Sequence, residues 1–377
     1  MPSLAVKCAP RSPTGAAPWL AATLLLVLAV VSFRHGQDFA VFWRTGRRLL
    51  AGESIYPPAD GFLVYRYAPG TALVFTPFAA LPFSVAKAVW YALLVTCGAL
   101  VVHLLAAASG PGPGPGTKTR AAALALLALS RPLLEEFACA QVNLVVLLLL
   151  LAAFACEDAG QERRAGLLIA LAVGLKLAPA LILLDVALRK RWRTLAGFAL
   201  GAAAIAAAPI ARYGLSGTIE LHRAWMASLL AASPGATAAP GNQSLFGLAA
   251  RVGLPPFAAV ATAAALAGFV LLRSEPEPRR ALLLFATALA SPMGWIQNYV
   301  MALPALFAVA HAGGRRATAA ATLGALLLVP LYDVTGPRFE QRFFSWSLPL
   351  AAMGILFALA ARSRNPGAES GLAAGPS

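Results

Sequence analysis

The feature that most constrains this chain is an alternation: apolar runs of about 13–25 residues separated by short segments that carry paired arginines or lysines. A run of that length can bury its side chains on all sides only in a bilayer or in the core of a very large protein. Of the 377 residues, 59% are hydrophobic and 12% charged, about half the charged share of a soluble domain. Mean hydropathy is +0.74. A water-soluble enzyme and a disordered chain are both excluded. The expected fold class is all-α: a polytopic helical membrane protein with about 10 full spans. Residues 1–364 form one integral membrane domain, and the Gly-, Ala- and Ser-rich tail 365–377 is expected to be a disordered cytoplasmic segment.

The formal net charge of +15 is topological rather than a nucleic-acid signal. The basic residues cluster between runs and form no stripe interleaved with aromatics. More than half of the 30 lysines and arginines fall on alternate loops, including Lys118-Thr-Arg120, Arg163-Arg164, Arg189 to Arg193, Arg279-Arg280 and Arg315-Arg316. That asymmetry puts both termini in the cytoplasm and the loops 34–83 and 212–256 outside. Cys8, Cys97, Cys139 and Cys156 show no metal-ligand spacing, and neither do the four histidines, so no metal or cofactor is expected.

One run breaks the pattern. Ala165 to Leu188 is long enough for a tilted span, yet basic clusters flank it at both ends. A single crossing would put one cluster on the wrong side. Two half-helices entering and leaving from the cytoplasmic face satisfy both, with the break near Lys176 and Pro179. A lysine inside an apolar run costs ~2.5–3.5 kcal/mol on insertion scales, which marks Lys176 as a functional candidate, a counter-charge for a phosphate. An ion pair with a buried acid such as Asp185 accounts for it equally well.

The first outer loop holds the other candidates. Gly36 to Gly52 reads as an interfacial amphipathic helix, apolar at Phe39, Phe42, Trp43, Leu49 and Leu50, with Gly52 ending it. Asp38 stands at its N-terminal end, as an N-cap or as a general base at the membrane surface. A second interfacial helix starts at Pro69 and ends before Pro82. Gln141 and Asn143 lie at the mouth of a span, where amides suit sugar hydroxyls or helix–helix contacts; Glu135 and Glu136 precede them. Two further polar patches are Asn242-Gln-Ser244 and Ser291 to Tyr299.

Taken in order, these patches resemble glycosyltransferase family 87, whose members are GT-C-fold membrane enzymes that include polyprenol-phosphate-mannose-dependent α-mannosyltransferases. Asp38 through Tyr56, Tyr67-Ala-Pro69, Gln141-Val-Asn-Leu144, Gly174 to Pro179 with the basic Arg189–Arg193, Asn242-Gln-Ser-Leu245 and Ser291-Pro…Trp295…Tyr299 are similar to the family's successive motifs. Gln297 and Asn298 stand where the family often has His, and Gly294 where it usually has Ser. The resemblance implies a polyprenyl-phosphate-linked sugar donor, a glycolipid or glycan acceptor, and inverting transfer at the outer face of the bacterial inner membrane. It implies Asp38 as base, Lys176 and Arg66 on the donor phosphate, and Tyr67, Gln141, Asn143, Asn242, Gln243, Trp295, Gln297, Asn298 and Tyr299 around sugar and acceptor. A transporter or lipid-sugar flippase shares the spans and the buried lysine, but predicts internal repeats that the sequence lacks.

Overall fold

The computed structural model describes residues 15–110, 114, 116–230, 237–273, 275–328 and 336–362. The expected cytoplasmic tail 365–377 and the basic residues before the first run lie outside them. The described chain is helical. Its one pairing of extended backbone is an isolated bridge between Asn242 and Trp295. Apolar side chains such as Trp19, Val30, Leu200, Phe257 and Leu272 face outward, the reverse of a water-soluble surface and the requirement of a lipid-facing one.

Helix α1 (Ala17–Ser32) is followed by α2 (Gln37–Ala51), turned 82° away from it. A 3-10 segment Pro69–Phe75, the short α3 (Thr76–Ala79) and α4 (Phe83–Ala108) come next. Then follow α5 (Thr117–Ala128), α6 (Ser130–Cys139), α7 (Asn143–Asp158), α8 (Glu162–Leu175), α9 (Ile182–Leu188), α10 (Trp192–Ala207) and α11 (Ile210–Leu230). The C-terminal part holds α12 (Leu245–Arg251), α13 (Pro256–Leu271), α14 (Pro276–Leu289), a 3-10 segment Ile296–Ala302, α15 (Leu303–Ala312), α16 (Gly314–Leu328), α17 (Pro337–Ser345) and α18 (Leu348–Arg362).

The expected ten full spans are not what helix length provides. Among the described residues only α4 is long and apolar enough to cross a membrane by itself. The pairs α1–α2, α6–α7 and α10–α11 pass that test only when joined, and each is bent by more than 80°. At Gly36, the positive-φ Ala140 and Pro209 the chain turns sharply between one helix of each pair and the next, which apolar composition does not record.

The two interfacial helices expected in the first outer loop are present as helical segments. Gly36 and Gly52 bound α2, both in the left-handed region that glycine adopts most readily. Its apolar face is locked by rings: Phe39 stacks on Trp90 with centroids 5.7 Å apart, and Phe42 on Phe75 at 4.6 Å. The second is a 3-10 turn that Pro69 opens, continued by α3.

The half-helix hairpin is also present. Helices α8 and α10 run parallel at backbone contact. A Cβ on Gly166 would lie 2.1 Å from the Thr194 carbonyl oxygen, one on Gly201 2.7 Å from Ala170 Cβ, and one on Gly174 3.3 Å from Ile205 Cδ1. Two parallel neighbours require the chain between them to return, and α9 is that return leg. The helical hydrogen bonding breaks after α8 at Lys176, which is extended with φ −160° and ψ 123°. The far end of the hairpin is tied by charge. Glu157 on α7 binds Arg189 at 2.8 Å and also Arg280, and Asp185 binds Arg189 at 2.8 Å and Arg279 at 2.7 Å. Arg191 pairs with Glu162 at 2.8 Å, so the two basic clusters that flank the hairpin lie at one end of it.

Candidate active site

The site is assembled where α2, the α6–α7 turn, the α8 break and the 3-10 segment at 296–302 meet. The α6–α7 turn is the pivot. Ala140 takes a left-handed φ of 56°, and its carbonyl accepts the Trp90 indole N–H at 2.9 Å. Tyr91 donates to the Phe137 carbonyl at 2.8 Å, and Gly36 N–H to the Ala138 carbonyl at 2.8 Å. These bonds pin the turn to α4 and to the start of α2. Two polar side chains then point from the turn into the junction.

Gln141 is the first. Its amide N–H donates to Asp38 Oδ2 at 2.5 Å, and its carbonyl oxygen accepts from Tyr67 O–H at 3.1 Å. Asp38 is therefore not a cap: Gly36 occupies the N-cap position, and no side chain caps α2. The carboxylate is turned inward and stays partly exposed. Burial pushes its carboxyl above the ordinary aspartate range, against the Gln141 hydrogen bond and the charge of Lys176, which pull it down.

Asn143 is the second. Its amide N–H groups reach Glu136 Oε2 at 2.6 Å and the Gln297 carbonyl at 3.3 Å. Glu136 also accepts from Leu144 N–H at 3.1 Å and is fully buried. Lys176 donates to Asn143 Oδ1 and to Asn298 Oδ1, the latter at 2.6 Å. Its ammonium thus lies within electrostatic reach of both Glu136 and Asp38. The ion pair with Asp185 is excluded, since that carboxylate is taken by Arg189 and Arg279 at the hairpin's other end.

The remaining candidates divide. Asn298 joins the cluster directly, and Gln297 joins it through its backbone. Asn242, Gln243 and Tyr299 are buried and committed to structure. Asn242 Nδ2 donates to the Thr237 and Pro292 carbonyls at 3.0 Å each, and its Oδ1 accepts from Gly294 N–H at 3.0 Å. Gln243 Nε2 donates to the Pro240 and Phe344 carbonyls at 2.6 and 2.8 Å, and Tyr299 O–H to the Gln243 carbonyl. Trp295 covers Gly241, where a Cβ would lie 2.4 Å from its ring. This latch holds the 291–298 segment and so presents Asn298 to Lys176. Arg66 is not brought to the cluster. Its guanidinium reaches the Ser228 carbonyl on α11 at 3.5 Å, and its own carbonyl accepts from Trp225. Glu136 is the member that the sequence flagged least. Its signal is the seven-residue spacing to Asn143, which joins the two only because a tight turn lies between them.

The arrangement brings one carboxylate held by an amide within electrostatic reach of one ammonium held by two amide oxygens. That is the chemistry of proton abstraction next to an anionic leaving group.

No solved structure matches the chain. One curated relative, a polyprenol-phosphate-mannose-dependent α-(1-2)-phosphatidylinositol mannoside mannosyltransferase of Mycolicibacterium smegmatis, is 29% identical over 305 residues, covering 73% of this chain and 68% of the relative. The model of glycosyltransferase family 87 matches residues 65–293, a stretch that takes in Gln141, Asn143, Lys176 and the 242–244 latch but starts after Asp38. With more than half of its length matched, the chain belongs to glycosyltransferase family 87.

Proposed function

We propose that this protein transfers a hexose, mannose in the first instance, from a polyprenyl-phosphate donor to a glycolipid or glycan acceptor, with inversion, on a GT-C-like scaffold at the outer face of the bacterial inner membrane. The donor follows from the relative's chemistry and the family. The outer placement follows from the basic-residue asymmetry of the loops.

Asp38 takes the proton from an acceptor hydroxyl. That oxygen attacks the anomeric carbon from the face opposite the phosphate. The C–O bond to the phosphate breaks, and its electron pair leaves on the phosphate oxygen. Lys176 has three N–H donors and spends two on Asn143 and Asn298, leaving one for that oxygen as its charge grows. Gln141 orients the base, and Tyr67 fixes the orientation of Gln141. The observation that carries the reading is the Gln141–Asp38 hydrogen bond, which turns the carboxylate away from a capping role and toward the ammonium.

The test is Asp38→Asn in purified, reconstituted protein given polyprenyl-phosphate mannose and membrane glycolipids. Loss of a general base is expected to lower transfer by about 10²–10⁴-fold. Transfer at the unmodified rate overturns the assignment.

A further inference from the structure

A cavity of about 510 Å³ opens at the start of α2. Gly36, Gln37 and Ala40 line it, so it adjoins Asp38 in sequence without being part of the Lys176 cluster. Arg34, His35 and Lys87 bring basic groups to it.

Lys87 is the unusual member. It projects from α4, is 8% exposed, and among the described residues makes no hydrogen bond or ion pair. Its ammonium lies 5.0 Å from the centre of the Phe33 ring and 5.9 Å from that of Phe83, so it rests against aromatic faces. Its stem rests against Gly36, where a Cβ would lie 3.1 Å from Lys87 Cε. The ammonium is thereby brought to the uncapped N-terminus of a 15-residue helix, whose first-turn N–H groups favour an anion. The acid on this wall, Glu135, is paired with Arg131 at 2.7 Å. Phe33 and Phe83, 39% and 37% exposed, put apolar surface beside the cationic group. A buried cation without a counter-ion, a helix N-terminus and an apolar rim together fit an anionic group carried on a lipid.

We infer that this cavity binds the phosphate headgroup of a lipid-borne acceptor and so delivers its hydroxyl to Asp38 from the side opposite Lys176. The assignment to the acceptor rests on Asp38 being the base; the binding of an anionic headgroup does not.

Cys139 lines the same cavity and serves as the reporter. The full chain is purified in dodecyl maltoside with Cys8, Cys97 and Cys156 replaced by Ala, and the rate of labelling by an uncharged maleimide is followed. Phosphatidylglycerol is expected to slow labelling by about tenfold, the occupancy expected at roughly ten times Kd. Phosphatidylcholine and inorganic phosphate are expected to leave the rate near its starting value. Lys87→Gln and Arg34→Gln should each abolish the protection, and Lys87→Arg should keep it. Arg34 is exposed, so its variant reads the site even where Lys87→Gln does not fold.

Equal protection by phosphatidylcholine overturns the reading of net negative charge. Equal protection by inorganic phosphate overturns the lipid origin, and protection that survives both Gln variants overturns the site. In transfer assays, Lys87→Gln should raise the acceptor KM and leave the donor KM unchanged; protection without that split overturns the acceptor assignment. An active Asp38→Asn variant overturns the proposed base and leaves the labelling result untouched, so the two failures are distinguishable.

Discussion

Two polar clusters sit at opposite ends of the α8–α9 hairpin, and they are built on different principles. At the Arg189 end, Glu157, Asp158 and Asp185 face Arg189, Arg279 and Arg280, and each carboxylate meets a guanidinium at hydrogen-bond distance. At the Lys176 end, Asp38 and Glu136 lie within electrostatic reach of one ammonium, and neutral amides do the holding. Matched, interlocked charges make a clamp, which gains nothing from a ligand. Unmatched charges held by amides keep unused donors and acceptors, which is what a reaction requires.

Exchanging acid for amide at the two ends is the sharpest way to break the contrast. Asp38→Asn is expected to cost about 10²–10⁴-fold in transfer while the thermal unfolding midpoint stays close to that of the parent. Asp185→Asn removes a buried charge from between two half-buried arginines and is expected to cost about 3–5 kcal/mol of stability, read as a lower midpoint in detergent. Were both variants to fall in midpoint alike, the division between clamp and reaction centre would be lost.

The latch that presents Asn298 gives the next effect. Serine at position 294 would bring its Cβ to 2.6 Å from Ser244 Cβ. Gly294→Ser is expected to cost about 1–3 kcal/mol from overpacking and to lower transfer with it, because the 291–298 segment must shift. A circular-dichroism melt and a transfer assay check both. The glycine that departs from the family's usual serine is thus explained by its close contact with Ser244.

The Lys176 cluster also predicts a pH dependence. Asp38 must be ionised to act, so activity falls as pH drops through its carboxyl pKa, which burial holds above the usual aspartate range. Lys176 pulls that pKa down. Lys176→Met is therefore expected to move the acid limb of the rate profile to higher pH, besides lowering the rate. An acid limb that stays in place means the two groups do not sense each other.

The smallest expected effect is at the surface. Arg48, in the last turn of α2, holds Asp60 with both guanidinium nitrogens, one bond at 3.0 Å, and keeps the Asp60 carboxyl below its ordinary range. The stability it contributes is present above the unfolded pKa and is lost as pH falls through the lower folded value. Asp60→Asn is expected to cost about 1 kcal/mol or less near neutral pH, with the difference vanishing in acid melts.

Much of this was legible in the sequence because it followed from cost. A lysine in an apolar run and basic clusters at both ends of Ala165–Leu188 located the hairpin, and the glycines at 36 and 52 bounded α2. What could not be read were contacts made by folding back. Asn298 reaches Lys176 across 122 positions, and Glu136 reaches Asn143 through a turn set by the φ of Ala140. The family resemblance implied sugar or acceptor contacts for Asn242 and Gln243, yet their amides are spent on backbone carbonyls. The helices that pass a length test alone are fewer than the apolar runs, because composition records how apolar a run is and not where it bends.

The glycine-lined seam between α8 and α10 has one more consequence. With backbones touching at Gly166 and Gly197, and a Cβ on Gly70 only 1.8 Å from the Ile205 carbonyl oxygen, the outer loop and the tip of the hairpin both rest on a single rail. A one-residue insertion in α8 would rotate everything beyond it by about 100° and lift it about 1.5 Å. The depth and bearing of the Lys176 ammonium are therefore set by residue count along that rail, measured from an anchor some 20 Å away.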